Sequence, residues 1–233
     1  MSSKKIVFEA QSEHVFEVRE RPIPAAKLIP EWWKSIPKYS TPDNKIDIDP
    51  KACVTVKQCA PTIDMFSSGY ILPLWADILV KKSGNDTLVK WTTGEDVLEL
   101  WSSSQVSHFE IPEGFDSAAF KYLSGWNIKT PPGWSTLFIH PTAHQNIPIR
   151  AIPGIVDTDV LNTPINCPFF IKKDFEGIIK KGTPMVQLIP FKREAWDSEF
   201  TNPGKQKIDF EREKLYTKIY GAYASKRYKK IFK

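Results

Sequence analysis

A mainly β fold, built as a β-sandwich or a distorted barrel, is what this chain predicts, and three observations predict it. Apolar residues recur at every second position in several runs, among them YILPLWADILV, WSTLFI and PINCPFFI, which is the period of a strand with one face toward a core. Glycine-bearing turn signals such as SGND, TTGED, PPG and KKG separate these runs at short intervals. Nineteen prolines are spread through the 233 residues, which suits short strands with exposed edges and bent corners better than a parallel α/β sheet.

The elements follow in order. PAAKLIPEWWKSIPKY, residues 24–39, reads as a short helix whose first turn is set by Pro30 and which Trp32, Trp33 and Ile36 can anchor on a sheet. Adjacent residues on a helix point about 100° apart, so one tryptophan packs while the other faces away. PTIDMFSSGY suggests one helical turn from Pro61, stopped by Gly69. In YILPLWADILV, Tyr70, Leu72, Leu74, Ala76, Ile78 and Val80 are all apolar and share one face, marking a single buried strand. With LVKWTT and VLELW it makes a three-strand meander. QVSHFEIPEGF reads as extended, and AAFKYLSGWNIKT bends at Gly125 into a strand. WSTLFI places Trp134, Thr136 and Phe138 on one face and Ser135, Leu137 and Ile139 on the other. PINCPFFI aligns Ile165, Cys167, Phe169 and Ile171, and the KKG turn leads into a last strand, Met185 to Phe191, with Gly182 at a positive φ. These elements form one β-rich domain, residues 1–204. Ile208, Leu215, Ile219 and Ala222 then fall near helical spacing, so residues 205–233 read as a basic terminal helix.

The formal charge is +5, but residues 205–233 hold ten basic against three acidic side chains, a net +7, so the rest of the chain carries about −2. The charge belongs to the tail and not to the body, and residues 226–233 read as exposed charge. Tyr216, Tyr220, Tyr223 and Tyr228 lie among the Lys and Arg of this tail, a pattern that offers weak, sequence-independent contact with nucleic acid or simply a solvated helix face. No apolar run reaches the ~18 residues of a membrane span, and MSSKKIVFEA has no apolar signal core. The expectation is a soluble chain made in a cytosol, without membrane contact. Cys53, Cys59 and Cys167 are odd in number with spacing that suits neither a disulfide framework nor a zinc knuckle; they read as buried, reduced thiols.

Candidate site residues cluster in two stretches. In PGIVDTDV, Asp157 and Asp159 lie two apart, so both carboxylates face one side of an extended backbone and can bind a cation if further oxygens converge. The alternative is a turn in which they accept backbone N–H groups. His140 and His144 flank a proline-containing loop and, with His108 or Asp157 as third ligand, form the one metal constellation the chain offers; a divalent ion is the cofactor that pattern would take. Ordinary loop histidines are the other reading. Trp134, with Asp157, Asp159 and His140, makes up the candidate set for binding a small ligand. No complete catalytic constellation is present: Ser102, Ser103 and Ser104 lack a nucleophile-elbow setting, no glycine-rich phosphate loop occurs, and Cys59 has no histidine close in sequence.

The order of a PPGWSTLFI turn and strand, the run IPIRAIPGIVDTD, an alternating strand, a KKG turn and an MVQLI strand resembles the core of the dUTPase and dCTP-deaminase-like β folds. Gly154, Val156 and Asp157 match a Gly-Ile/Val-Asp element of that superfamily, and Lys181, Gly182, Gln187 and Leu188 match its Lys-Gly turn and Gln-Leu strand. The resemblance spans residues 131–193 and implies a β-clip or cupin-like form of the fold. It implies no activity, because Val160 and Leu161 stand where a base-stacking tyrosine belongs, HPTAHQN replaces the phosphate motif, and the glycine-rich C-terminal arm is absent. Across most of its length the chain also resembles a protein family found largely in tailed phages, cyanophages included. PAAKLIPEWWKSIP, PTIDMFSSGYILPLWADI, TPPGWSTLFIHP with PGIVDTD, and KKGTPMVQLIPFKREAW carry that resemblance. It implies a viral source, and with it the cytoplasm of an infected host cell or the virion.

Two function classes follow. One is a non-enzymatic binding or assembly module that meets a protein partner or copies of itself through edge strands and the terminal helix. The other is a small-molecule protein, nucleotide-like or metal-dependent in its ligand and hydrolase or oxygenase-like in its chemistry, with its site near His108, His140, Asp157 and Asp159.

Overall fold

The structure, a computed structural model, describes residues 4–40, 55–84, 86–210 and 232. Among them run β1 (Val7–Ala10), α1 (Glu13–Val18), β2 (Ile23–Pro24), α2 (Glu31–Ser35), α3 (Ala60–Ser67), β3 (Tyr70–Pro73), β4 (Ile78–Ser83), β5 (Asp86–Trp91), β6 (Leu98–Trp101), β7 (Phe115–Leu123), β8 (Trp126–Lys129), β9 (Trp134–Ile139), β10 (Ile149–Ala151), β11 (Gly154–Val156), β12 (Asn166–Lys172), β13 (Gly177–Ile179) and β14 (Pro184–Lys192). All pairings are antiparallel. A five-stranded sheet has the order β11-β9-β14-β3-β2 and a four-stranded sheet the order β10-β12-β7-β6; β13-β4-β5 and β1-β8 make two smaller sheets. The sheets stay open, so of the two forms predicted the sandwich is the one observed.

The chain divides into two compact units. The first holds residues 1–36, 65–193 and 232–233 and contains every strand of the described residues. Its core joins Leu72, Phe138, Val186 and Leu188 of the larger sheet to Phe120, Tyr122, Ile149, Phe169 and Ile171 of the four-stranded one. Tyr122 is fully buried and donates its hydroxyl to the Pro73 carbonyl at 2.6 Å; Ser135 and Thr136 bring buried hydroxyls into β9, which lies between β11 and β14. Phe232 also belongs to this unit, with its ring centroid 5.8 Å from that of Tyr70. Of residues 226–233, read from the sequence as exposed charge, Phe232 is the one described; the others lie outside the described residues. The second unit holds residues 37–64 and 194–231. There Thr55 caps a 3-10 turn, Val56–Gln58, by accepting from the Lys57 N–H. Residues 194–204 have no regular structure and residues 205–210 are helical; the terminal helix expected beyond them lies outside the described residues.

Several expectations change in detail. YILPLWADILV is two strands and not one: all six alternating residues are buried, but so are Ile71 and Trp75 between them, and a bend at Trp75 and Ala76 sends β3 and β4 into different sheets. The β4–β5 hairpin forms around Gly84, φ +62°, yet β6 pairs with β7, so the meander stops at two strands. QVSHFEIPEGF makes turns over residues 103–108 and buries Val106. Of the two neighbouring tryptophans, Trp33 is buried against Phe66 and Trp32 is half exposed, as helix geometry requires. Cys167 is buried, which pushes its thiol up to about 12; Cys59 is exposed, and its thiol is lowered by hydrogen bonds at Thr62.

Two glycines adopt the left-handed backbone for different reasons. Gly182 has φ +86° with open space where a side chain would stand, so its need is conformational alone. Gly69, φ +71°, has none: a Cβ there would sit 1.8 Å from the Leu188 carbonyl oxygen. The end of α3 lies directly against β14, and only glycine permits that approach.

Candidate functional site

Strand β9 carries the two sequence-predicted stretches at its opposite ends. Its first residue is Trp134 and His140 follows its last, Ile139. At the Trp134 end the register β11–β9–β14 sets Val156 opposite Thr136 and Lys192 opposite Trp134. That register brings the DTD loop after β11, the PPG turn before β9 and Arg193 after β14 to one place.

There Arg193 grips both carboxylates. Its Nη1 donates to Asp159 Oδ1 at 2.8 Å and its Nη2 to Asp159 Oδ2 at 2.5 Å, a two-pronged pairing, and Nη1 lies 3.1 Å from Asp157 Oδ1. Asp159 also accepts the Gly133 backbone N–H at 2.7 Å, and Asp157 accepts the Ser135 hydroxyl at 2.6 Å. The Asp159 side chain is 7% exposed and that of Asp157 59%. The Arg193 guanidinium holds the Asp159 carboxyl down at about 2, against a smaller opposing effect of burial, and the same pair raises Arg193. Behind this pair three threonine hydroxyls meet: Thr158 Oγ1 lies 2.7 Å from that of Thr130 and 2.9 Å from that of Thr136. The Lys4 ammonium stands 4.6 Å from the centre of the Trp134 ring. Oxygens that face Arg⁺ and N–H donors already have their charge satisfied, so the arrangement fastens a loop to a strand end; a cation would have to displace the guanidinium.

At the other end His140 is buried. The Ala151 N–H donates to its Nδ1 at 3.4 Å, which places the proton on Nε2, and Nε2 finds no acceptor among the described residues. Burial, with the Arg150 charge second, lowers His140 to about 4, so the ring is neutral at ordinary pH. His144 donates from Nε2 to the Leu28 carbonyl at 2.8 Å, and burial lowers it too. Between these loops sits Gln187 of β14, itself buried. Its Oε1 accepts the Thr142 N–H (3.0 Å) and hydroxyl (2.8 Å), and its Nε2 donates to the carbonyls of Met65 (3.0 Å) and Ser68 (2.8 Å).

The predicted residues are thus brought together in one case only. Asp157, Asp159 and Trp134 share one end of β9. His140 and His144 share the other, with separate partners, and His108 is exposed in the turns before β7. Among the described residues no three His, Cys, Asp or Glu side chains converge to hold a metal ion. No helix of the described residues is long and apolar enough to cross a membrane. Arg193, Ser135 and Gln187 are the members that sequence reasoning did not assign to a site. An arginine closing KKGTPMVQLIPFKR was visible, but its partner follows from strand register, which spacing does not reveal. No family model matches the chain, and no curated protein sequence matches it.

Apolar surface is the other feature the molecule presents. In the second unit Trp196 is 86% and Phe200 96% exposed, with Phe210 also exposed. In the first, Ile155 of the edge strand β11 (64%), Val160 (76%) and Leu161 are exposed in sequence beside the Asp157–Asp159 loop.

Proposed function

We propose that this protein is a non-enzymatic binding and assembly module that acts through protein–protein contacts, made by a phage and working in the infected cell's cytoplasm or in the virion. The observation that carries the reading is the exposure of Trp196 and Phe200 on a stretch without regular structure. Aromatic side chains of this kind supply much of the binding energy where proteins meet, and two of them exposed four residues apart favour an interaction surface. The three donors held by Asp159, two from Arg193 and the Gly133 N–H, favour the same reading, since that carboxylate is committed to holding the fold. The resemblance of four sequence stretches to tailed-phage proteins supports the source. Weak contact of the basic tail with nucleic acid belongs to the proposal as a secondary property; most of that tail lies outside the described residues.

Sedimentation equilibrium and native mass measurement of the full chain over a wide concentration range test this. Association above the 26.7 kDa of one chain is expected. A mass that stays monomeric, with thermal stabilisation by a nucleotide or a divalent ion, would replace the assembly reading with the small-molecule one.

A further inference from the structure

We propose that residues 195–200 of one copy add as a strand to the free edge of β11 in a second copy, and that the exchange is reciprocal. The inference rests on the assembly reading above and names its partner. Ala-Trp-Asp-Ser-Glu-Phe alternates when extended: Trp196, Ser198 and Phe200 share one face, and Ala195, Asp197 and Glu199 the other. All six residues are exposed and none is in regular structure within its own chain. A segment with the period of a strand and no sheet to join is the donor that strand addition requires.

The acceptor has matching needs. Among the described residues β11 is the edge of the five-stranded sheet, paired with β9 on one side only. Edges of this kind offer unpaired N–H and C=O groups and are usually blocked by charge or proline. Here the three residues Gly154, Ile155 and Val156 carry neither. Val156 packs toward the core, so Ile155 projects on the opposite face, exposed like Val160 and Leu161 of the following loop. Those are the surfaces that Trp196 and Phe200 would cover. The charges also correspond. Arg193 pairs with Asp159 beside the edge and makes a weaker contact with Asp157, the exposed residue that follows β11, which lowers the negative charge an acidic strand would meet there. Lys4, over Trp134 on the neighbouring strand, has no carboxylate partner among the described residues and answers Asp197 or Glu199.

Area decides that the exchange is mutual. Two aromatic side chains bury ~150–250 Å² each, so one arm with the surface it covers reaches ~700 Å², below the ~1,200 Å² of a specific interface. Two arms exceed it, and a two-fold pair gives two.

Full-length chains test the pairing. Trp196→Asp with Phe200→Asp disables the arm and leaves the edge; Ile155→Asp with Val160→Asp disables the edge and leaves the arm. Each variant alone should dimerise at least ~100-fold more weakly than wild type, the loss expected when central aromatic or apolar anchors are removed. Mixed together, they should associate through the single arm and single edge that remain intact, more weakly than the two-armed wild type but more tightly than either variant alone, a result that misfolded chains cannot give. Circular dichroism and melting curves check that both variants keep the fold. A wild-type oligomer that ignores the arm substitutions overturns the inference while the assembly reading stands. So does an oligomer lost only with the edge variant, which would mean β11 pairs with its own copy. A wild-type chain that stays monomeric overturns the inference outright, and the small-molecule readout above then decides the fate of the broader reading.

Discussion

The two ends of β9 solve the same problem in opposite ways. At the Trp134 end, polar groups near solvent keep their charges: two carboxylates share one guanidinium, and water screens what remains. At the His140 end, polar groups are buried, with Gln187 as the hub and burial lowering the pKa of both histidines so that the neutral ring is favoured. Exposed ion pairs contribute little because water competes for each partner, whereas a buried neutral group left without a partner carries its full desolvation cost. The buried end therefore holds the fold more strongly, although the charged end looks more like a site.

The largest expected effect lies at the buried end. Gln187 uses both amide hydrogens and both lone-pair directions, so Gln187→Leu keeps the volume and strands the Thr142 N–H, the Thr142 hydroxyl and the carbonyls of Met65 and Ser68. At ~1–3 kcal/mol for an unsatisfied buried group, and with some of the four reaching water after relaxation, the loss should be about 3–5 kcal/mol by urea unfolding. A loss under 1 kcal/mol would show that the hub carries no weight.

An effect of intermediate size should appear with pH. His140 titrates near 6.5 when unfolded and at about 4 when folded. The folded state resists the proton, so its stabilisation is complete above pH 6.5 and is lost as pH falls toward 4. Over the whole window this amounts to about 3 kcal/mol, of which about 2 is gone by pH 5. Comparing unfolding free energies at pH 7.5 and 5 in wild type and His140→Asn isolates the histidine, because the carboxylates are common to both. Equal pH slopes would remove His140 from the account. The neighbouring charges are Arg150, which opposes protonation, and His144, whose ring is lowered by its own burial.

Local patterns were legible in the chain and pairings were not. Period-2 runs announced β9 and β12, and the Lys-Lys-Gly turn announced β14, which buries both faces over Met185–Leu188. The same rule joined β3 to β4, since a stretch apolar on both faces shows no break in period where the backbone turns at Trp75. Gly182 was readable from its Lys-Lys-Gly turn. Gly69 was readable as a helix stop but not as the contact with Leu188, which exists only once β14 lies beside β3. The aspartates stood out by chemistry. That Arg193 meets them, and that His140 and His144 use separate partners, follows from how β9 aligns with β11 and β14.

The smallest effect is expected where the charges are most conspicuous. Asp157 is more than half exposed, and its contact with Arg193 at 3.1 Å is the guanidinium's second and weaker one, since the two prongs close on Asp159. Asp157→Asn keeps an oxygen for the Ser135 hydroxyl and removes only the charge. Exposed pairs of this kind are worth ~0–1 kcal/mol, and added salt should shrink even that. Asp159→Asn is the contrasting substitution: it breaks the paired donation from Arg193 while the Gly133 N–H keeps an acceptor, so its melting temperature should fall below that of Asp157→Asn in the same buffer. If Asp157→Asn costs more than Asp159→Asn, the exposed carboxylate has work that the fold does not explain, and binding at the Trp134 end becomes the question again.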